Sequence, residues 1–217
     1  MSQLWWRLVR FGFRLLYNEL AFTYDGVSWF VSLGSWRCWQ RAALRHLGQP
    51  FQGHILELAH GTGNLQLDLR AAGYSSIGLD LSPAMGRIAS SKLTQCGYRP
   101  NLVRGQAQQL PFASASFSAV ISTFPTDFIL APETLREVGR VLVPGGQFLI
   151  VPNGSLTGGD VLAGFIEWLY RITGQREGES QPWDVASHFE PYGFEARLVT
   201  QACPRSQAQV IVCQKRV

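Results

Sequence analysis

The sequence predicts an α/β fold: a mostly parallel sheet with helices on both faces and a reversed last strand. Short apolar runs (HILELA, SSIGLD, NLVRGQ, FSAVISTF, QFLIVP) alternate with stretches of helical periodicity, the pattern of βαβ units whose sheet is covered on both sides. The first run ends in an acid and passes straight into a glycine pair, HILELAHGTGNLQL, which reads as a buried strand ending where the backbone approaches something closely. The last two runs, FEARLVTQ and AQVIVCQK, are joined by a turn around Pro204 to Ser206. That link is too short for a right-handed crossover, so these two strands pair antiparallel.

The chain opens with LWWRLVRFGFRLLYNELAF, whose Arg7, Arg10 and Arg14 recur at helical spacing and fall on one side of a helix. Three arginines make a membrane span expensive, at roughly 2.5–3.5 kcal/mol each near a bilayer centre, and no small-residue cleavage site of a signal peptide follows. A basic, aromatic amphipathic helix remains. It either lies on an anionic membrane surface or packs over the core or site mouth of its own domain. The segment YDGVSWFVSLGSWRCWQRAALRHL reads as a loop and then a second helix ending near Gly48.

After the first strand, NLQLDLRAAG is a helix stopped by Gly73, a suitable left-handed terminator. SSIGLD is the second strand. SPAMGRIASSKLTQCG opens with a serine cap and Pro83 in the first turn and runs as a helix to Gly97. NLVRGQ and FSAVISTF are the third and fourth strands, and PETLREVGRVLVPGG is a helix closed by a Pro-Gly-Gly turn before the fifth strand, QFLIVP. GGDVLAGFIEWLYRIT is helical, GQREGESQP loop-like, and WDVASHFEPYG a short helix leading into the final strand pair.

At 217 residues the chain can bury a full core without metal or disulfide staples. The organisation expected is an N-terminal helical extension over residues 1–48 and a main domain over 49–217. A net charge of +4 with no lysine- or arginine-rich run gives no footprint for a nucleic-acid partner. Cys38, Cys96, Cys203 and Cys213 are far apart and form no C-x-x-C pair, so free thiols in a reducing cytoplasm are expected.

In open parallel sheets ligands bind beyond the carboxyl ends of the strands, which brings the Gly61–Gly63 loop and Asp80 to one site. A carboxylate at the tip of the second strand can accept both hydroxyls of a ribose, and a glycine loop opening a helix offers backbone N–H donors. These features alone fit many nucleotide binders.

Four stretches in series, ELAHGTGNL, GLDLSPAM, GQAQQLPFASASFSAVIS and LREVGRVLVPGGQFLIV, narrow the choice. Together they resemble the class I S-adenosylmethionine-dependent methyltransferases, most closely the small-molecule branch that includes the ubiquinone/menaquinone biosynthesis C-methyltransferases. The resemblance covers residues 50 to 152 well and the C-terminal strand pair more loosely. YDGVSWFVSLGSWRCWQRA also looks like the N-terminal stretch of the quinone-methylating members.

The resemblance implies a Rossmann-like, seven-stranded, mostly parallel sheet with an antiparallel last strand. It also implies S-adenosyl-L-methionine as cofactor and a small-molecule acceptor. Gly61 and Gly63 would lie against the methionine end of the cofactor. Glu57 would hold that loop and favour the cationic end, or serve only as a structural carboxylate for loop N–H groups. Asp80 would grip the ribose hydroxyls. Leu81 and Met85 would pack on the adenine faces, or be core. The carbonyl region of Thr123 would sit beside the methionine ammonium, and Tyr24, with Tyr17, would reach the carboxylate from a lid. Ala59 stands where a first glycine is usual, an exchange that suits a negative φ. Gln106, with Ala107 next to it, stands where relatives carry an aspartate for the adenine amino group. Its carbonyl can accept that bond without the charge assistance. Ser118 likewise replaces a frequent aspartate.

Two candidates remain for proton handling or acceptor orientation. Asp127, beside Thr126 after the fourth strand, is a base, an orienting group or a helix N-cap. His60 is a base or a hydrogen-bonding member of the loop. The aromatic residues of the cover segments, Trp29, Phe30, Trp36, Trp39, Phe165, Trp168, Tyr170 and Trp183, favour a flat or lipophilic acceptor. A nicotinamide-dependent oxidoreductase is disfavoured: Gln66 occupies the third glycine position of G-x-G-x-x-G, and neither Lys92 nor Lys215 completes a Tyr-x-x-x-Lys pair. A cofactor-binding module without turnover, or a partner subunit, is the alternative that Gln106 keeps open.

Overall fold

The computed structural model describes residues 23–47, 53–157 and 184–217. The helix expected at the N-terminus, the helix expected over GGDVLAGFIEWLYRIT and the GQREGESQP loop lie outside these residues.

Five parallel strands build the centre of the sheet: β1 (His54–Leu58), β2 (Ser75–Asp80), β3 (Leu102–Arg104), β4 (Phe117–Thr123) and β5 (Leu142–Val151), in the spatial order β3-β2-β1-β4-β5. The order reverses between β1 and β4, which creates the crevice where such sheets bind ligands. The sheet then turns antiparallel. β7 (Phe194–Cys203) and β8 (Ser206–Lys215) form a hairpin, and β8 runs against β5. The reversed last strand is therefore present. Among the described residues the sheet has eight strands rather than seven, because β6 (Gly154–Leu156) pairs with the start of β8 after β5 has paired with its end. Pro152 has no N–H to give the ladder, so one edge is broken into two strands.

The helices follow their sequence signals where those are local. α3 (Asn64–Ala71) ends at Gly73, whose φ is +84°. α4 (Pro83–Gln95) starts on the Ser82 cap, whose hydroxyl accepts from the Met85 N–H. α5 (Pro132–Val141) and the short α6 (Val185–Phe189) also belong to the covering layers. The segment before β1 differs from expectation. Where a loop was expected, Tyr24–Val31 form helix α1, followed by α2 (Trp36–Arg41) and a 3-10 turn over Ala42–His46. Gly26 and Ser28 are weak helix formers, so tertiary contacts must hold α1. The Ser32 hydroxyl donates to the Ser28 carbonyl and accepts from the Trp36 N–H, which welds α1 to α2.

Alternate residues of the sheet face two cores, as the strand period of two demands. Leu56, Leu58, Val120, Phe148 and Ile150 pack with Leu135 and Val138 of α5 and Phe189 of α6. Ile55, Ala119, Ile121, Leu149 and Val151 pack with Leu65 and Leu69 of α3, and with Trp39, Ala42 and Ala43 from the N-terminal segment. Trp39 is pressed so closely on β6 that a Cβ at Gly154 would lie 2.2 Å from its ring. Its indole N–H donates to the Ser206 hydroxyl at 3.1 Å.

The expectation of four free thiols is corrected. Cys38 and Cys203 form a disulfide, while Cys96 and Cys213 are free. The pair is 165 residues apart in sequence, so no local spacing announces it. Docking of α2 on the β7–β8 hairpin brings the two together. The free-thiol argument for a reducing cytoplasm therefore no longer holds for this pair. Among the described residues, no helix is long and apolar enough to cross a membrane.

Candidate functional site

A cleft of about 750 Å³ opens at the carboxyl ends of β1, β2, β3 and β4. Its floor is the loop after β1, and three residues of that loop need left-handed backbone. Gly61 and Gly63 have φ of +54° and +79°, and Ala59 has +55°. The negative φ expected of Ala59 is thus overturned. The chain must turn sharply enough for the next N–H, on His60, to reach the Leu79 carbonyl of β2 at 3.3 Å. A non-glycine residue there costs about 1–2 kcal/mol. The two glycines serve different purposes. A Cβ on Gly61 would meet open space, whereas one on Gly63 would lie 2.7 Å from the Ala89 Cβ of α4. Gly61 leaves room beside the cleft; Gly63 lets a helix close in.

Asp80 stands at the tip of β2 and lines the cleft. Its carboxylate accepts from the Gly61 N–H at 2.9 Å and from the Ser82 N–H at 2.8 Å, so it holds both flanking loops in place. A carboxylate has about four acceptor positions, which leaves capacity for two ligand hydroxyls.

The other sequence candidates divide. Ala59, Gly61, Asp80, Leu81, Gln106, Ala107, Thr123 and Tyr24 all line the cleft. Leu81 is 57% exposed at the cleft, while Met85 is 1% exposed and belongs to the core. Glu57 is not among the residues that line the cleft; it is buried at the start of α3, where the Gln66 amide donates to it at 2.7 Å and the Ser76 hydroxyl donates to Gln66. Burial pushes its pKa up to about 8, with the Gln66 hydrogen bond opposing. His60 is also outside the cleft lining. Its ring lies against Gly78, where a Cβ would be 2.9 Å from it, and burial lowers its pKa against the pull of Asp80. Because a carbonyl can only accept, the 2.8 Å contact between Nδ1 and the Gly61 oxygen puts the ring proton on Nδ1. Asp127 is exposed at the start of the 3-10 turn Asp127–Leu130. Its neighbours Thr126 and Phe128, rather than Asp127 itself, line the cleft. Tyr17, Phe165, Trp168, Tyr170 and Trp183 lie outside the described residues.

Several participants escaped sequence reasoning. Phe124 lines the cleft with φ of +52°, and Trp36 stacks on it at 3.9 Å. Strained backbone of this kind persists only where packing over-determines it. Arg104 brings a cation to the β3 side, anchored on the Leu81 carbonyl. Gln66, read only as a missing glycine, is the partner of Glu57. Asp25, inside the YDGVSWFV stretch but given no role by the sequence reading, accepts from Thr62, Asn64 and Lys92. A separate hollow near Arg136, Lys215 and Arg216 has its cations engaged by Glu133, the Leu142 carbonyl and Glu190.

Comparison with known proteins agrees with this geometry. A family described as "Methyltransferase domain" matches residues 55–146. The chain is 35% identical over 186 residues to the ubiquinone/menaquinone biosynthesis C-methyltransferase UbiE of Syntrophotalea carbinolica, covering 84% of this chain and 78% of that one. It is 33% identical over 203 residues to the demethylmenaquinone methyltransferase of Symbiobacterium thermophilum, with coverages of 85% and 80%. Among solved structures, an S-adenosylmethionine-dependent methyltransferase of Thermotoga maritima superposes with a TM-score of 0.61 at 19% identity, covering 90% of this chain and 96% of that one. That likeness carries the fold.

Proposed function

Because the chain belongs to the class I S-adenosylmethionine-dependent methyltransferases, we propose that the cleft presents the cofactor's methyl group to a flat or lipophilic acceptor, quinone-like or lipid-like in chemistry. The observation that carries this reading is the Asp80 carboxylate at the strand tip, fixed by two backbone N–H groups and bordered by the open Gly61 loop. The residues present fit the cofactor. The cleft volume lies in the ~300–1,000 Å³ range of small-molecule sites, the glycine loop leaves space beside it, and Asp80 has unused acceptor positions. Two relatives named for ubiquinone/menaquinone and demethylmenaquinone chemistry and the Tyr24, Phe124 and Phe128 wall support the acceptor class.

When bound, the cofactor supplies a methyl group already activated on a sulfonium, so the protein's task is alignment and exclusion of water. Such positioning accounts for ~7–11 kcal/mol of a barrier. Asp80 holds the sugar. Gly61 and the Thr123 carbonyl region border the amino-acid end, and Tyr24 closes over it. Leu81, Gln106 and Ala107 take the adenine, with Gln106 accepting from its amino group. We assign His60 to shaping the loop, Glu57 to bracing it through Gln66, and Met85 to the core beneath. Asp127, set between two cleft-lining neighbours, is the group left to orient a polar edge of the acceptor. The described part of the N-terminal extension, residues 23–47, acts as a cover over the body that follows. Trp29 and Phe30, 64% and 60% exposed on α1, support peripheral contact of this cover with a lipid surface.

Calorimetry of the full chain tests the reading. S-adenosylmethionine and S-adenosylhomocysteine should both bind, Asp80→Ala should abolish binding, and NAD should not bind. A wild type indifferent to both methyl-donor ligands would overturn it. Methyl transfer is scored on a panel of reduced quinones and lipids. Binding without transfer to any of them would favour the non-catalytic module.

A further inference from the structure

We propose that Asp25 is a positioning residue: its carboxylate latches helix α1 onto the glycine loop and so holds Tyr24 across the cleft. This rests on the cofactor reading above and adds the device that couples the cover to the loop.

The geometry is a closed ring of hydrogen bonds joining three elements. One Asp25 oxygen accepts from the Thr62 hydroxyl at 2.6 Å and from the Asn64 amide at 2.9 Å. The other accepts from the Lys92 ammonium at 2.7 Å, and Lys92 also donates to the Asn64 oxygen at 2.8 Å. Thr62 and Asn64 flank Gly63, the residue on which Ala89 of α4 closes. Lys92, one turn further along α4, completes the ring. The latch therefore gathers the start of α1, the loop with the start of α3, and α4. Burial opposes ionisation of Asp25, but the bonds from Lys92, Thr62 and Asn64 outweigh it and hold the pKa below the ordinary value.

Tyr24 is the residue before Asp25 in the first turn of α1, and it lines the cleft. Fixing Asp25 fixes Tyr24, whose ring meets the edge of Trp36 at 6.3 Å while Trp36 stacks on Phe124. A carboxylate on the cover thus grips the polar side chains on either side of the loop glycine. The aromatic groups beside it complete the wall. Without Asp25, the Thr62 hydroxyl, 4% exposed as a residue, and Lys92 lose their shared acceptor, and the carboxylate tie between α1 and the loop is gone.

The test is a double-mutant cycle on S-adenosylhomocysteine affinity, measured by calorimetry on the full chain. Asp25→Asn keeps the size but sets an amide donor against either Lys92 or the Thr62–Asn64 pair, and should weaken binding about tenfold. Lys92→Gln, which opens the ring from the far side, should act in the same direction. Tyr24→Ala should weaken binding in the wild type, yet add less than about twofold to Asp25→Asn, because an unlatched tyrosine has little left to lose. Independent, multiplying losses, or wild-type affinity in Asp25→Asn, would overturn the latch. A wild type that bound no S-adenosylhomocysteine would instead bring down the cofactor reading itself, so the two failures are distinct.

Discussion

Replacing Glu57 with glutamine removes a proton that the folded chain holds unusually tightly. Glu57 is 1% exposed and its pKa is pushed up to about 8 by burial, against 4.5 for the free group. Between these two pH values the unfolded chain has released the proton and the native chain has not. Fewer protons on the unfolded state means that stability falls as pH rises. The contribution is fully present below about 4.5 and lost by the time pH has risen through about 8. At about 1.4 kcal/mol per pH unit, the whole span is worth about 5 kcal/mol. Glu57→Gln keeps an oxygen that can accept from the Gln66 amide, and it has no proton to lose. Urea unfolding at a series of pH values from 5 to 8, extrapolated linearly, should therefore show wild type losing stability relative to the variant by about 1.4 kcal/mol per pH unit. Other titrating groups are common to both proteins and cancel in the difference. Parallel curves would show that Glu57 is ionised in the native state. The argument from its burial would then be wrong.

Three further outcomes are expected. Ala59→Gly relieves about 1–2 kcal/mol of left-handed strain against about 0.4–1 kcal/mol of added unfolded-state entropy. Its melting temperature should hold or rise by about 2–4 °C, and a clear fall would contradict the loop geometry. Gly154→Ala drives a methyl group into Trp39 and should cost at least about 1–3 kcal/mol in urea unfolding, with the loss largely absent when Trp39 is first replaced by leucine. Cys38→Ser should lower stability by about 2–4 kcal/mol. Dithiothreitol should reduce wild type toward the variant and leave the variant unchanged.

The order of strands and helices from β1 to β5 was legible because each boundary has a local chemical cause. Examples are the Ser82 cap with Pro83, Gly73 and Gly97 as left-handed terminators, and apolar runs of strand length. Asp80 was legible for a similar reason: a carboxylate ending a strand beside a glycine loop has few structural uses. The residues carrying these signals are near neighbours in the chain, so sequence spacing encodes them directly.

What sequence alone determined, then, is the alternating α/β order, the reversed last strand, the glycine loop and the acid at the strand tip. Only the tertiary structure decided which side each side chain takes. It buried Glu57 and His60 outside the cleft lining, sank Met85 into the core and set Ala59 at positive φ. It also paired Cys38 with Cys203 and made a helix of a segment that its own propensities leave undecided. Each of these depends on which face a residue presents and on what a distant part of the chain packs against it. Asp25 shows the reason most plainly, since its three partners lie 37, 39 and 67 residues away and meet it only once the sheet has assembled.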